Sequence, residues 1–212
     1  QIERFESMLT DLLEISRYDA GAVSLERDEV NLVELVEDSL DQLSPLADQK
    51  GSSLLLEVLG GYGIVDADAG RIRRVLLNFI GNAIDHGDGK PIVAIVDSDE
   101  TTVAVAVRDW GGGMSEQETA RVFDRFWRAD PSRQRTTGGT GLGLAIAQED
   151  ARAHGGFIDV WSAPGQGSCF RLTLPRHAGH SVTHSPLGLP SETTLVDSDG
   201  VELGLDEPAE VS

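Results

Sequence analysis

Apolar residues repeat at helical spacing in three stretches of the first 86 positions. Residues 1–20 carry apolar side chains three and four positions apart, in a heptad-like seam that one helix cannot bury alone. A second helix is predicted at 31–50, where Asn31 and Glu34 form a capping-box pair. The third, at about 70–86, has one continuous apolar stripe formed by Ile72, Val75, Leu76, Phe79, Ile80, Ala83 and Ile84.

Alternating apolar and polar positions predict strands in the rest of the chain. The strands are expected at about 53–59, 63–67, 91–97, 102–108, 157–162 and 168–174, with a short helix near 115–121 and a longer one at about 141–154. The periodicity stops after Arg176, and residues 177–212 hold seven acidic side chains and no lysine or arginine. Such a segment buries too little apolar surface to offset its ordering entropy, so 176–212 is predicted to be a disordered tail.

The composition allows one sizeable domain and argues against some partners. Of 212 residues, 40% are hydrophobic, which is enough for a core. The net charge of −19 argues against nucleic-acid binding and against adhesion to an anionic membrane surface. The single cysteine, Cys169, lies in an apolar strand pattern and excludes a disulfide within the chain. No apolar run approaches the roughly 20 residues that a membrane-spanning helix needs.

A glycine-rich loop precedes the longest helix of the second half. Four glycines stand between positions 138 and 143, and an apolar helical pattern follows at once. Glycine lets a ligand approach the backbone, and the free N–H groups at a helix start attract anions. The loop lacks the Gly-Lys-Ser/Thr ending of a P-loop and is not preceded directly by a strand, as a dinucleotide fingerprint would be. A simple turn before a helix is the alternative.

Five motifs in a fixed order give this sequence its family resemblance. It resembles the ATP-binding domain of sensor histidine kinases, which share the Bergerat fold with DNA gyrase. The motifs are the N box at 78–86, the glycine boxes at 109–113, 139–144 and 165–167, and the F box at 123–126. The resemblance covers residues 1–175 and implies a two-layer α/β sandwich, with a mixed sheet and helices on one face. Residues 1–21 resemble the end of the family's dimerisation bundle, and 22–175 the ATP-binding catalytic domain.

The resemblance implies ATP and Mg²⁺ as cofactors and assigns residues to them. Asp109 would accept a hydrogen bond from the adenine amino group, or its carboxylate would cap a turn. Asn82, with Asn78 beside it, would ligate Mg²⁺ through amide oxygens, or both would belong to a solvated polar helix face. The full set of binding residues implied is Asn78, Asn82, Asp85, His86, Asp109, Gly111, Gly113, Arg128, Arg133, Gly139, Thr140, Gly141, Leu142, Gly143 and Leu144.

Asp85 and His86 of the N box depart from the usual residues of the family, and the loop 128–139 carries several arginines. The family often has lysine at the position of Asp85 and tyrosine or phenylalanine at that of His86, so a cation on the phosphates from position 85 is not expected here. The loop 128–139 resembles the ATP lid. Its arginines would reach the phosphates or keep the loop solvated.

The implied reaction is transfer of the γ-phosphoryl group to a histidine of the dimerisation bundle, for relay to a response-regulator aspartate. None of the five histidines has the context of that acceptor, so no catalytic residue is assigned within the chain. The implied partners are a response-regulator receiver domain and a second copy bound through the bundle, with no nucleic acid. The implied location is the cytoplasmic side of a membrane sensor.

Two alternatives to a histidine kinase stay open from the residues alone. One is a serine kinase of the anti-sigma type, which has the same nucleotide fold but generally lacks a bundle helix like the one predicted at 1–20. The other is a degenerate ATP-binding module that regulates a partner. The presence of Asn82, Asp109, Gly141 and Gly143 argues against degeneracy.

Overall fold

The computed structural model describes residues 2–61, 63–128 and 140–190, with side chains from residue 8 onward. Five helices and seven strands follow one another along this part of the chain. Their bounds are α1 Ile2–Asp19, β1 Asp28–Asn31, α2 Leu32–Lys50, β2 Leu54–Val58, β3 Ile64–Ala67, α3 Ala69–His86, β4 Ile92–Ser98, β5 Thr102–Asp109, α4 Glu116–Thr119, α5 Gly143–Ala153, β6 Phe157–Ala163 and β7 Gly167–Pro175.

Five of the strands form one mixed sheet, in the order β2-β4-β5-β7-β6. The β2–β4 pair is parallel and the other three pairs are antiparallel. The remaining strands, β1 and β3, pair antiparallel with each other. The sequence pattern predicted every one of these strands except β1, whose four residues are too few to show a clear alternation.

Three helices cover one face of the large sheet. The apolar stripes of α2 and α3 and the inner side of α5 form one buried cluster with alternate residues of β4, β5 and β7. Because side chains alternate across a strand, Val103, Val105 and Val107 all face these helices. The arrangement is a two-layer α/β sandwich with helices on one face, as the sequence predicted.

Side chains cap the helices that hold the core. Asn31 accepts a hydrogen bond from the Val33 N–H at 3.1 Å and donates its amide to Glu34 at 2.7 Å. Asp68 accepts the N–H of Arg71 at 3.1 Å, so α3 starts at a fixed point beside β3. Each such cap satisfies backbone donors that the first helical turn leaves unpaired.

Helix α1 is docked on α3 and α5 through a buried polar cluster. The Asp150 carboxylate is completely buried and pairs with Arg71 at 3.1 Å and with Arg74 at 2.7 Å. The Tyr18 hydroxyl of α1 donates to the same carboxylate, and Glu14 pairs with Arg71 at 3.3 Å. Burial and the neighbouring carboxylate raise the pKa of Tyr18 above its ordinary value. These contacts join α1 to both helices.

The predicted disordered tail is wrong for its first part. After β7 the chain folds back over the outer face of the sheet, where Leu187 and Leu189 are buried. The outward side chains of β4 and β5 are themselves apolar and need cover, which a composition averaged over the whole tail does not reveal. Residues 191–212 lie outside the described residues. None of the helices that the structure describes is both long and apolar enough to cross a bilayer.

Candidate nucleotide-binding site

One side of α3 carries the four polar residues that the sequence selected. The Asn78 amide donates to the Arg74 carbonyl one turn earlier at 2.9 Å, while its Oδ1 faces the start of α5. Asn82 is half-buried and His86, in the last turn, is exposed. The helix therefore carries two amide side chains along a face that ends beside β5.

Asp85 has a cationic neighbour that the sequence analysis missed. The Lys50 ammonium lies 3.5 Å from the Asp85 carboxylate. Lys50 is the last residue of α2, and the left-handed Gly51 ends that helix beside the end of α3. A positive side chain thus stands next to position 85, although it comes from another helix. Local sequence spacing gives no signal for such a pair, because only the packing of α2 on α3 creates it.

Asp109 is the last residue of β5 and is only 4% exposed. Its Oδ1 accepts the N–H of Gly111 at 2.9 Å. Burial raises the pKa of the Asp109 carboxyl, while the Gly111 hydrogen bond and the Arg108 guanidinium act in the opposite direction. A buried carboxylate of this kind favours a ligand that can donate hydrogen bonds to it.

The first glycine box packs directly on the end of α3. A Cβ built at Gly111 would lie 1.8 Å from the His86 carbonyl oxygen, so no other residue fits there without a shift. Gly113 is packed against the backbone of the β6–β7 hairpin, and Gly167 of that hairpin against the Asp109 carbonyl. The first and third glycine boxes therefore meet at the position of Asp109.

The second glycine box meets both the F box and the N box. The Gly141 carbonyl accepts the N–H of Phe126 at 2.9 Å, and Gly141 has a φ of +73°, which side-chain-bearing residues rarely adopt. A Cβ built at Gly143 would lie 2.1 Å from Asn78 Oδ1. The absence of a side chain at Gly143 thus allows the start of α5 to approach the polar face of α3.

The segment before α5 offers its backbone rather than its side chains to a ligand. Leu142, the residue preceding the helix, has no polar side-chain atom with which to cap it. Its side chain is buried against Ile15 and Ile146, and the Thr140 hydroxyl donates to Asp11 of α1 at 2.8 Å. The Leu144 side chain packs against the main core. The Leu142 N–H already donates to the Thr140 hydroxyl at 3.2 Å, so a role of this segment in binding belongs to its other N–H groups.

Part of the predicted site cannot be placed. Arg133, Gly139 and most of the predicted lid at 128–139 lie outside the described residues. Arg128, at the border of that range, is half-buried. Among the other predicted residues, Gly111 meets His86 and Gly143 meets Asn78 on α3.

Arg108 is a second residue that the sequence analysis missed. Its guanidinium lies between the rings of Trp110 and Trp161, 4.9 Å from each centroid. It donates to the Asp109 carbonyl at 2.7 Å and to the Gln166 carbonyl at 2.6 Å. An arginine inside an otherwise apolar strand was the available signal. The contacts fix the backbone at Asp109 to the third glycine box.

Comparison with known proteins places this geometry in a family. A profile described as histidine kinase-, DNA gyrase B-, and HSP90-like ATPase matches residues 67–178, more than half of the chain. The sensor histidine kinase MtrB of Mycobacterium tuberculosis is 51% identical over 187 residues, which make up 88% of this chain and 33% of that protein. The sensor-like histidine kinase SenX3 of Mycolicibacterium smegmatis is 34% identical over 82% of this chain and 45% of its own length. The chain therefore spans less than half the length of these relatives.

Solved structures agree with the family. Full-length ShkA in complex with AMPPNP superposes with a TM-score of 0.71 at 30% identity, over 85% of this chain and 37% of that one. The catalytic domain of histidine kinase ThkA gives a TM-score of 0.63 at 27% identity, over 72% of this chain and 97% of that one. Both confirm the predicted fold. The chain belongs to the family of histidine kinase-, DNA gyrase B- and HSP90-like ATPases, as the ATP-binding domain of a sensor histidine kinase.

Proposed function

We propose that this domain binds Mg-ATP between α3, the end of β5 and the start of α5, and presents the γ-phosphate for transfer to a histidine. The observation that carries the proposal is the meeting of three motifs on α3. Gly111 touches the carbonyl of His86, and Gly143 touches Asn78. One ligand spanning the face between these contacts would reach Asp109 at one end and the start of α5 at the other.

Asp109 recognises the base in this proposal. Its carboxylate is buried and already oriented by the Gly111 N–H. The 6-amino group of adenine donates hydrogen bonds, whereas guanine has an acceptor oxygen at the same ring position. A buried carboxylate facing an acceptor would leave both groups unpaired, which costs more than losing a hydrogen bond in water. Asp109 therefore selects adenine over guanine.

The start of α5 and its preceding loop bind the phosphates. The first N–H groups of the helix have no intrahelical acceptor, and the helix dipole adds partial positive charge there. Gly143 has no side chain to cover these N–H groups. A Cβ there would occupy the space between the start of α5 and Asn78.

The amide oxygens of Asn78 and Asn82 fit a magnesium ion that is shared with phosphate oxygens. Within residues 2–61, 63–128 and 140–190, no three His, Cys, Asp or Glu side chains are grouped as a metal site. A site built from few protein ligands is normal for Mg²⁺, which keeps waters and substrate phosphates in its shell. When bound, the ion would neutralise part of the phosphate charge. Asn82 and Asn78 would hold it.

The acceptor of the phosphoryl group is proposed to lie outside this chain. Relatives that are similar over most of its length are named sensor histidine kinases. Within the chain, His154 is buried with both ring nitrogens engaged, so it is unsuited to receive phosphate. We therefore propose a histidine of the dimerisation bundle as acceptor, with a second copy and a response-regulator receiver domain as partners.

Calorimetric titration with nucleotides tests the proposal. The chain should bind ATP in the presence of Mg²⁺, with weaker binding in EDTA, and should prefer ATP to GTP by at least about 100-fold, because a site built for a donor rejects an acceptor strongly. Asn at position 109 can donate to the guanine oxygen, so Asp109→Asn should reduce this preference. Equal affinity for ATP and GTP in the unmodified chain would show that Asp109 does not read the base.

A further inference from the structure

The outer face of the sheet, opposite the helices, is covered by the chain itself. Residues 181–190, called here the C-terminal segment, place Leu187 and Leu189 on this face with 2% and 5% of their surfaces exposed. The apolar residues beneath belong to β4, β5 and β7 and to the stretch following β5. They form a buried cluster separate from the main core, made of Val93, Ile95, Ala104, Ala106, Trp110 and Cys169.

Polar contacts fix the position of the C-terminal segment on this face. The Arg171 guanidinium, itself buried, donates to the Leu187 carbonyl and pairs with Asp159 at 2.7 Å. The Thr173 hydroxyl is 2.9 Å from that of Ser185. The His184 ring lies 2.8 Å from the Asp99 carboxylate. Two leucines and several hydrogen bonds together define one register, as in a specific peptide complex rather than a loose apolar cover.

The C-terminal segment lies beyond the family profile, although the 187 residues aligned with MtrB extend into it. The family profile ends at residue 178, and the segment begins just after it. Its sequence from Pro186 to Pro190 alternates leucine with glycine between two prolines. Proline has no N–H, so this stretch is poorly suited to pairing as a sixth strand of the sheet. The C-terminal segment is held by side chains, by the Leu187 carbonyl and by the Val182 N–H, which donates to the Gly155 carbonyl at 3.3 Å.

The covered face is in contact with the candidate nucleotide site. Trp110 packs in the same cluster as Leu187 and directly follows Asp109 in the chain. Arg108 is stacked on Trp110 and donates to the Asp109 carbonyl at 2.7 Å. The same arginine reaches Gln166 of the third glycine box. The Asp109 side chain lies on the opposite, helix-facing side of β5, so Leu187 is linked to it only through Trp110, Arg108 and the backbone of Asp109.

We propose that the outer face is a regulatory docking site for a Leu-Gly-Leu segment, filled in cis by residues 181–190, whose occupancy increases ATP affinity through Trp110 and Arg108. This inference rests on the proposed function. When the segment leaves, Trp110 loses its apolar cover and Arg108 its fixed stacking partner. The backbone at Asp109 then samples more conformations, and fewer of them suit the base. Linkage requires the reverse effect too, so ATP must tighten docking of the segment.

A double substitution, Leu187→Ser with Leu189→Ser, separates docking from nucleotide binding. Two readouts are needed: acrylamide quenching of tryptophan fluorescence and the ATP dissociation constant from calorimetry. Quenching reports exposure of Trp110 and Trp161, together with Trp127, which packs against the main core on the other side of the sheet. Quenching should increase, and ATP should bind about fivefold more weakly or worse, since coupling between sites is typically of this order. The matched control is Leu55→Ser on β2, a leucine of the same sheet that is already 42% exposed. It should leave both values within about twofold of the unmodified chain, as expected of an uncoupled surface change.

The outcomes distinguish this proposal from the proposed function. If the unmodified chain binds no ATP, the nucleotide site itself is wrong. If it binds ATP and the double variant shows more quenching with unchanged affinity, the segment docks without regulating and the linkage is refuted. Unchanged quenching would refute docking through the leucines.

A measurement on the unmodified chain covers the case in which the double variant does not fold. Saturating ATP and Mg²⁺ should slow amide hydrogen exchange within residues 182–190. Unchanged exchange there, with ATP binding confirmed, would also refute the linkage.

Discussion

The carboxylate of Asp109 is buried at a strand end, where water cannot replace a lost partner. Asp109→Asn keeps the size of the side chain but allows an amide donor to face the donor of adenine. The loss of a charge-assisted hydrogen bond and the unpaired groups left behind should cost about 2–4 kcal/mol. ATP binding measured by calorimetry should therefore weaken by a factor on the order of 30 or more.

A surface aspartate provides the control for this substitution. Asp38 of α2 is exposed and pairs with Arg73 at 3.0 Å, a kind of contact that contributes little. Asp38→Asn should leave ATP affinity unchanged. If both variants bind ATP as tightly as the parent, Asp109 is not part of the binding site.

Gly143 and Gly81 form a matched pair of glycines close to the same face of α3. A Cβ at Gly143 would lie 2.1 Å from Asn78 Oδ1, whereas a Cβ at Gly81 meets nothing within 4 Å. Gly81→Ala should stabilise the domain by roughly 0.5–1 kcal/mol, because alanine favours a helix interior. Gly143→Ala should destabilise it and weaken ATP binding, since Asn78 must move. Urea unfolding of both variants checks the signs, and stabilisation by Gly143→Ala would contradict the observed contact.

Sequence reasoning identified some residues of the candidate site and missed others. Asp109, Asn78 and Gly143 could be selected because their chemistry or spacing within one segment is unusual. Lys50 and Arg108 could not, because their importance comes from the neighbours that packing provides: the end of α3 for Lys50, and two indole rings for Arg108.

Among the elements, α1 depends on one buried carboxylate. Asp150 is paired with Arg71 and Arg74 and accepts from Tyr18. Removing one member of a buried pair leaves uncompensated charge and typically costs about 3–5 kcal/mol. Asp150→Asn should destabilise the domain by that order, measured by urea unfolding. Tyr18→Phe, which removes one hydrogen bond to a charged group, should cost about 1.5–3 kcal/mol.

The neighbouring Glu149 gives the comparison for that measurement. Its pair with Arg152, at 2.8 Å, involves an arginine that is largely exposed. Glu149→Gln should change the unfolding free energy by less than about 0.5 kcal/mol. A cost for Asp150→Asn as small as this would mean that the cluster does not anchor α1.

His154 links the end of α5 to the start of α3 and makes this junction sensitive to pH. The Asp68 N–H donates to Nε2 at 3.0 Å, so the proton is on Nδ1, which donates to the Asp150 carbonyl at 2.7 Å. Burial lowers the pKa of His154. The neutral ring therefore contributes stability that is complete above about pH 6.5, the ordinary pKa, and is lost as pH falls toward the lowered value.

Unfolding free energies at pH 7.5 and 5.5 test this junction. From pH 7.5 to pH 5.5, the free energy of unfolding of the parent should fall by up to about 1.4 kcal/mol more than that of His154→Gln. One pH unit of titration below the ordinary pKa corresponds to that energy. An equal loss in the two proteins would show that His154 does not titrate with unfolding.

The elements themselves were largely predictable. The bounds of α3, β5 and α5 lie within two residues of those expected from the sequence, because long periodic stretches fix both type and length. Helix α1 was also predicted, but its partners were not. Ile15, which lies outside the heptad-like seam, packs on Leu142 and Ile146 of this same domain. Leu9 and Leu12 of the seam are exposed, so a further helix as their cover stays a prediction.

At the scale of the whole molecule, the sandwich and its family could be predicted from motif order, and the cover of the outer face could not. Charge and composition dominate the last 36 residues, so an average over them predicts disorder. Burial of Leu187 and Leu189 depends on apolar side chains of β4 and β5 that lie far away in sequence. Only the folded sheet brings the two sets together.

The central claim is that ATP occupies the space bordered by α3, the end of β5 and the start of α5. Hydrogen exchange of the unmodified chain, with and without AMPPNP and Mg²⁺, tests it most directly. Slower exchange is predicted at 84–89, 109–113 and 140–146, with no change at β1 and β3, which form the separate two-stranded sheet. Confirmed nucleotide binding with no protection in those three segments would contradict the proposed site.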